Sequence, residues 1–244
     1  DPIIDKLADY GCKVLAARCV GFDHMNRHYA RSKGMHVCHG SYAANGVAEY
    51  TVMAILMCIR NYKKAQANTD DNDFTLKGKM GRELRSLTVG VMGTGKIGQC
   101  MAHICKGFGM KILAYDKFPN PSTGLEYVEL EELFRQSDII SLHCPLTPET
   151  EHIIDQTAIQ AMKPGVILVN TSRGALIDAE ALLEGIKARR VGGACLDVYE
   201  EESEVFFEDR SGHILSDDTL ARLTTMPNVL ITAHQAELLA AQKG

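Results

Sequence analysis

Thr88-Val89-Gly90-Val91-Met92-Gly93-Thr94-Gly95-Lys96-Ile97-Gly98 is the stretch that decides the fold. The first five residues are apolar or small and read as a buried strand. Gly93 to Gly98 spell G-x-G-x-x-G and open a segment, 96–108, that reads as a helix. A second apolar run, Ile112-Leu113-Ala114-Tyr115, ends in Asp116, 18 residues beyond Gly98. A dinucleotide-binding βαβ unit asks for an acid about 20 residues on. Gly93 suits the tight turn, Gly95 the approach of backbone to a pyrophosphate, and Gly98 close helix–strand packing. The helix N-terminus offers unpaired N–H groups and a positive dipole end. Asp116 would accept the ribose hydroxyls and repel a 2′-phosphate, which selects NAD over NADP; Lys117 softens that choice. A lone glycine cluster at a strand–helix turn is a weak signal, and here the strand, helix and acid are all in register.

The regular part of the pattern runs outward from this unit. Strands are expected at 88–92, 111–115, 138–142, 166–169, 193–198 and 229–232, and helices at 96–108, 129–136, 155–161 and 178–188. Alternation of this kind implies a doubly wound parallel sheet with helices on both faces and ligands at the carboxyl ends of the strands. Toward the N-terminus a helix is expected at 2–9, a strand at 13–17, a helix at 23–33 and a strand at 35–37. Asn45 is an N-cap candidate for a long helix, 46–66, with Val52, Ile55, Leu56, Ile59 and Tyr62 on one apolar face. Residues 67–87 read as a polar linker.

Bulk properties narrow the function. The 244 residues are 45% hydrophobic and 23% charged, as in ordinary globular proteins. A net charge of −5 disfavours a nucleic-acid or anionic-membrane partner, and no apolar run approaches the ~20 residues of a membrane span. The eight cysteines form no C-x-x-C pair and sit mostly in apolar runs, which points to reduced thiols in a cytoplasmic protein. His24/His28 and His36/His39 lack acidic or cysteine companions at zinc spacing, so no metal is expected.

Chemistry-bearing residues gather where strands end. Asn170-Thr171-Ser172-Arg173-Gly174 follows one strand, Asp197-Val198-Tyr199 closes another, and His234 follows a third. Arg binds a carboxylate through a planar fork, His is a proton donor near neutral pH, and a carboxylate can orient its imidazole. The bland alternatives are that Arg173 is a surface helix-capping residue, His234 a satisfied loop histidine and Cys144 strand-end packing. The run Glu200-Glu201-Glu202-Ser203-Glu204 would ordinarily be a solvated loop.

Taken together, Gly93 to Gly98 with Asp116, Asn170 to Gly174, Asp197-Val198-Tyr199-Glu200-Glu201-Glu202, and Pro227-Asn228-Val229 leading to His234-Gln235-Ala236 resemble the D-isomer-specific 2-hydroxyacid dehydrogenases. Arg18-Cys19-Val20-Gly21-Phe22-Asp23, Tyr42, Asn45, Ala48 and Glu49 also match. The acidic Phe206-Phe207 segment is most similar to the fermentative D-lactate type within that family. The resemblance implies a Rossmann-like NAD-binding domain over 43–236, part of a smaller flavodoxin-like substrate domain over 1–42, and the start of a return segment at 237–244. It implies an NAD-dependent oxidoreductase that reduces pyruvate to D-lactate, acting as a homodimer. Arg173, Glu202 and His234 are then the catalytic residues: Arg173 holds the 2-oxo acid, His234 protonates its carbonyl, and Glu202 pairs with His234. Val20, Gly21 and Tyr42 line the substrate side. Gly93, Gly95, Lys96, Ile97, Gly98, Asp116, Cys144, Pro145, Thr150, Thr171, Ser172, Arg173 and Asp197 meet the cofactor.

Family members carry chain before the position of Asp1 and beyond that of Gly244, so this sequence is expected to be a partial one. Glu237-Leu238-Leu239 stands where the family usually places an aromatic; a carboxylate there either repels an anionic substrate or points outward. Two other readings of the same residues are an NAD(H)-sensing corepressor-like binding protein and an inactive NAD-binding fragment.

Overall fold

The computed structural model describes residues 1–17, 25–40, 44–202 and 205–238, with His39 by its backbone only. The chain divides into two compact units, Asp1–Ala43 and Ala44–Gly244.

The first unit contains helices α1 (Pro2–Asp9) and α2 (Arg27–Ser32) and strands β1 (Val14–Ala17) and β2 (His36–His39), paired in parallel. Asp1 caps α1 by accepting from Ile3 and Ile4 N–H, with Pro2 in the first turn where its missing N–H does no harm. Ile4, Ala30 and Met35 form the small core. Asp5 ties the helices together, accepting from Tyr29 Oη at 2.7 Å and pairing with Lys33 at 2.7 Å.

The second unit begins with α3 (Ala44–Ile59) and α4 (Tyr62–Asp70). The expected 46–66 helix is therefore two helices, and Asn45 lies inside the first rather than capping it. The break is at Asn61, whose φ of 52° leaves the helical region while its side-chain amide donates to Met80 O. Tyr62, placed by periodicity on the apolar face, belongs to α4 and is half exposed. Then follow β3 (Thr88–Met92), α5 (Lys96–Gly107), β4 (Lys111–Tyr115), α6 (Leu130–Gln136), β5 (Ile139–Leu142), α7 (Gln156–Ala161), β6 (Val166–Asn170), α8 (Ala179–Lys187), β7 (Val191–Leu196), α9 (Asp218–Thr225) and β8 (Val229–Ile231). The expected strand at 193–198 starts and ends two residues earlier, which leaves Asp197 to Tyr199 beyond its end. Helix α9 lies outside the helices expected from the sequence. Its apolar content is small, but Asp217 caps it by accepting from Leu220 N–H, and Leu220 and Leu223 supply the buried face.

All six strands of the large sheet are parallel, in the order β4-β3-β5-β6-β7-β8. Successive strand residues face opposite sides. Val89, Ile139, Ile167, Val169 and Cys195 pack with α3 and α5, while Ile140, Leu142, Leu168, Ala194 and Leu196 pack with α6 to α9. With both faces covered the strands are continuously apolar, which is why they were readable. The chain reverses direction across the sheet between β3 and β5, and the carboxyl edge at such a switch point is where sheets of this kind bind ligands.

Candidate active site

Every candidate residue described in the second unit comes from the carboxyl edge of this sheet or the first turn behind it. Gly93 to Gly98 follow β3, Asp116 follows β4, Cys144 to Thr150 follow β5, Thr171 to Arg173 follow β6, Asp197 and Glu202 follow β7, and His234 follows β8. Val20, Gly21 and Tyr42 lie outside the described residues.

The glycine turn has the shape a dinucleotide needs. A Cβ on Gly98 would overlap the Gly93 carbonyl, and one on Gly93, at φ 92°, would lie 2.5 Å from Cys144 N, so both positions demand glycine. A Cβ on Gly95 would meet no heavy atom within 4 Å, so the turn faces open space there. Gly95 is also the N-cap of α5 and offers no capping side chain, leaving first-turn N–H groups of Lys96 and Ile97 for an anion. Asp116 stands beside the turn. Its Oδ2 accepts from Thr94 N–H at 2.7 Å and Thr94 Oγ1 at 3.0 Å, and its Oδ1 accepts from Phe118 N–H at 2.9 Å. Burial opposes its charge, but these bonds outweigh that and hold its pKa below the ordinary value, so it stays ionised. These features fit a dinucleotide with an unphosphorylated ribose.

The β5 and β6 loops are locked together. Ser172 Oγ donates to Cys144 O at 2.8 Å, Thr150 Oγ1 donates to Pro145 O at 2.7 Å, and Thr171 Oγ1 shares a 2.9 Å hydrogen bond with Thr51 of α3. Burial pushes the Cys144 thiol up to about 11 and His143 down to about 4, so both are neutral at pH 7. Arg173 donates through Nη1 to Ser172 O, and Asn170 donates to Arg173 O. A Cβ on Gly174 would overlap the Tyr199 carbonyl group; only glycine lets the Arg173 loop seat against the loop that carries Glu202.

His234 is held through both its backbone and its side chain. Its backbone is left-handed, with φ 53°, a costly region for a non-glycine residue that is maintained only when surroundings impose it. Asp197 imposes it. The carboxylate is 2% exposed and accepts from Thr232 Oγ1, Gln235 N–H and Ala236 N–H, while its carbonyl accepts from His234 N–H at 2.7 Å. Asp197, expected to meet the cofactor, is thus mostly engaged in fixing the His234 segment. Glu202 Oε1 meets His234 Nδ1 at 3.1 Å, and Glu202 Oε2 accepts from Tyr199 N–H. Glu202 raises the His234 pKa by hydrogen bonding; burial opposes, and the charges of Glu202, Glu237 and Asp197 add to the rise. Because Nδ1 faces Glu202, Nε2 is the nitrogen left to face a reactant. Glu237, the departure noted in the sequence, therefore acts on this imidazole through its charge.

Two features escaped sequence reasoning. Thr94 and Tyr127 form a hydroxyl chain behind Asp116, with 2.8 Å between Thr94 Oγ1 and Tyr127 Oη; Thr94 occupies a variable position of the motif and carries no signal. His152 Nε2 meets Glu200 Oε1 at 2.5 Å, a second histidine–carboxylate pair from the same acidic run.

Known proteins bear on this geometry. Residues 52–236 match the D-isomer specific 2-hydroxyacid dehydrogenase, NAD binding domain. The chain is 44% identical over 243 residues to a D-lactate dehydrogenase of Escherichia coli (strain K12), covering 98% of this chain and 74% of that one. It is 43% identical to an aromatic 2-oxoacid reductase of Clostridium sporogenes over 95% of this chain and 71% of the relative. Among solved structures it superposes on the pyruvate reductase of Chlamydomonas reinhardtii with a TM-score of 0.88 at 41% identity, covering 97% and 73% of the two chains. With the NAD+ form of D-lactate dehydrogenase from Lactobacillus jensenii the TM-score is 0.84 at 33% identity, covering 98% and 73%. On these matches, and with the sheet order and glycine cradle described above, the chain belongs to the D-isomer specific 2-hydroxyacid dehydrogenases and carries their NAD-binding domain.

Proposed function

We propose that this oxidoreductase reduces pyruvate to D-lactate, with Arg173, Glu202 and His234 as its catalytic residues. Bound NADH supplies the hydride. Arg173 offers a guanidinium fork to the substrate carboxylate. His234, whose cationic form Glu202 favours, donates from Nε2 to the carbonyl oxygen as it becomes an alkoxide, and Glu202 stabilises the cation until that proton leaves. The observation that carries this reading is the Glu202–His234 pair on a strained backbone, in which Glu202 engages Nδ1 and not Nε2.

On the same reading, Gly93, Gly95, Lys96, Ile97 and Gly98 hold the pyrophosphate and Asp116 the adenosine ribose. Cys144, Pro145, Thr150, Thr171 and Ser172 line the rest of the cofactor, and Asp197 supports it through the His234 segment. Residues 1–42, with Val20, Gly21 and Tyr42, would form part of a substrate domain, 43–236 the NAD-binding domain, and 237–244 a return segment. A cytoplasmic location is consistent with the seven described cysteines, all free thiols, and a fermentative role rests on the resemblance to the D-lactate type. Self-association as a homodimer is supported by one segment that exposes Phe74, Leu76 and Met80 at 72%, 86% and 91%. No described helix is long and apolar enough to cross a membrane.

The test is NADH consumption by the purified chain with pyruvate and with an aromatic 2-oxo acid. Turnover that favours pyruvate supports the proposal. Turnover of the aromatic acid alone would move the substrate assignment, and NADH binding without turnover on either would favour the sensor or inactive-fragment reading.

A further inference from the structure

Asp116 carries a counting problem. An ionised carboxylate has about four acceptor sites. Three are taken by Thr94 N–H, Thr94 Oγ1 and Phe118 N–H, which leaves one. A ribose edge presents two hydroxyls, so a bidentate grip needs two. The Thr94 hydroxyl is the donor that can leave, because it has another acceptor: Tyr127 Oη lies 2.8 Å from Thr94 Oγ1, and Tyr127 in turn lies 3.3 Å from Thr123 Oγ1. Thr123 has a fixed use for its own proton, donating to Asn120 O at 2.9 Å. Two proton arrangements therefore satisfy every hydroxyl. In one, Tyr127 donates to Thr94 and Thr94 to Asp116. In the other, Thr94 donates to Tyr127, Tyr127 donates to Thr123, and Asp116 has an acceptor free on each oxygen. Only torsions of two hydroxyls separate them. Tyr127 is placed for this by its parallel bridge to Ala114, two residues before Asp116.

We propose that Tyr127 is a positioning residue for cofactor choice: it takes the Thr94 hydroxyl proton off Asp116, and so frees the carboxylate to hold both ribose hydroxyls of NADH. The inference rests on the reading of Asp116 as the ribose acceptor. A 2′-phosphorylated ribose has no 2′-hydroxyl to donate, so NADPH gains nothing from the freed site.

The experiment is direct titration of the chain with NADH and NADPH, followed by nicotinamide fluorescence, in wild type, Tyr127→Phe, Thr94→Val, the double variant and Asp116→Ala. In Tyr127→Phe the Thr94 hydroxyl has no acceptor but Asp116, so NADH binding weakens about 10-fold, the size of one hydrogen bond to a charged group. NADPH binding changes far less, and KM for the 2-oxo acid stays put. Thr94→Val removes the competing donor and binds NADH at least as tightly as wild type. Adding Tyr127→Phe to Thr94→Val then has no further effect, a non-additivity that a merely structural tyrosine would not show. Equal weakening of NADH and NADPH in Tyr127→Phe, additive losses in the double variant, or a 10-fold loss in Thr94→Val alone would each overturn the proposal. If Asp116→Ala leaves the NADH/NADPH ratio unchanged, the ribose reading itself fails; if that ratio collapses while Tyr127→Phe keeps it, only the role of Tyr127 fails.

Discussion

The acidic run after β7 makes two histidine–carboxylate pairs that differ in what they leave free. Glu202 meets His234 through Nδ1 at 3.1 Å, and Glu200 meets His152 through Nε2 at 2.5 Å. Both histidines have left-handed backbones, with φ 53° and 50°, and both have pKa values raised first by their carboxylate partner. A strained histidine beside a glutamate is therefore not by itself a catalytic signature. The His234 and Glu202 side chains are 23% and 25% exposed, whereas those of His152 and Glu200 are 40% and 29% exposed. His234 also sits at the carboxyl edge of the sheet, with Asp197 fixing its backbone and Nε2 unengaged by Glu202. His152 spends Nε2 on Glu200, and its backbone N–H donates to Ala175 O in a strap beside the acidic loop. The chemistry separates by which ring nitrogen is used and where the pair stands on the sheet.

Substituting each histidine gives the largest contrast. His234→Gln should lower kcat by about 10²–10⁴-fold, the usual contribution of a proton donor, with NADH affinity unchanged. His152→Gln should leave kcat within about threefold of wild type by the same criterion. Steady-state kinetics beside an NADH titration checks both, and similar losses in the two variants would erase the distinction.

The carboxylates sharpen it through pH. His234 must carry its proton to donate it, so activity is present below its raised folded pKa and is lost as pH rises through that value. Glu202→Gln removes the main cause of the rise, so the alkaline limb of the kcat/KM profile should move to lower pH and kcat should fall about 10²-fold. Glu200→Gln should leave the limb in place. A limb that moves with Glu200 and not Glu202 would reverse the two pairs.

A smaller effect belongs to the cofactor end. Asp116→Ala should narrow the preference for NADH over NADPH by about tenfold, the size of a lost charged hydrogen bond with relief of repulsion. Comparing KM for the two cofactors measures it.

The smallest effect is on stability. A folded pKa raised above the ordinary 6.5 makes the His152–Glu200 contact stabilising below that value, and the gain is lost as pH rises through the raised one. The pair is partly exposed, so solvent screening limits it to about 1 kcal/mol at most. His152→Gln should lower Tm by a few degrees in mildly acidic buffer, with the difference fading at alkaline pH.

The same contrast shows what could be read from sequence. The cradle was legible because it is made of backbone and of absent side chains: Gly93 and Gly98 are required by geometry, and Gly95 keeps the turn between them open, within one short segment. Buried parallel strands were legible because both faces are apolar. Local exceptions were not, since the Asn61 break depends on an amide reaching Met80 and α9 is short, with Leu220 and Leu223 alone as its buried face behind the Asp217 cap. The catalytic residue types were visible at strand ends, but no spacing could assign Glu202 rather than Glu200 to His234. That assignment came from family resemblance, and in three dimensions it depends on loops 32 residues apart being seated by Asp197 and Gly174. Thr94 and Tyr127, 33 residues apart, left no trace at all.

The most direct test is the enantiomer of lactate formed from pyruvate and NADH by the wild-type chain and by His234→Gln. The wild type should form D-lactate and the variant, in the same time, a yield lower by at least about 10²-fold. L-lactate, or equal yields of D-lactate from both, would contradict the proposed function.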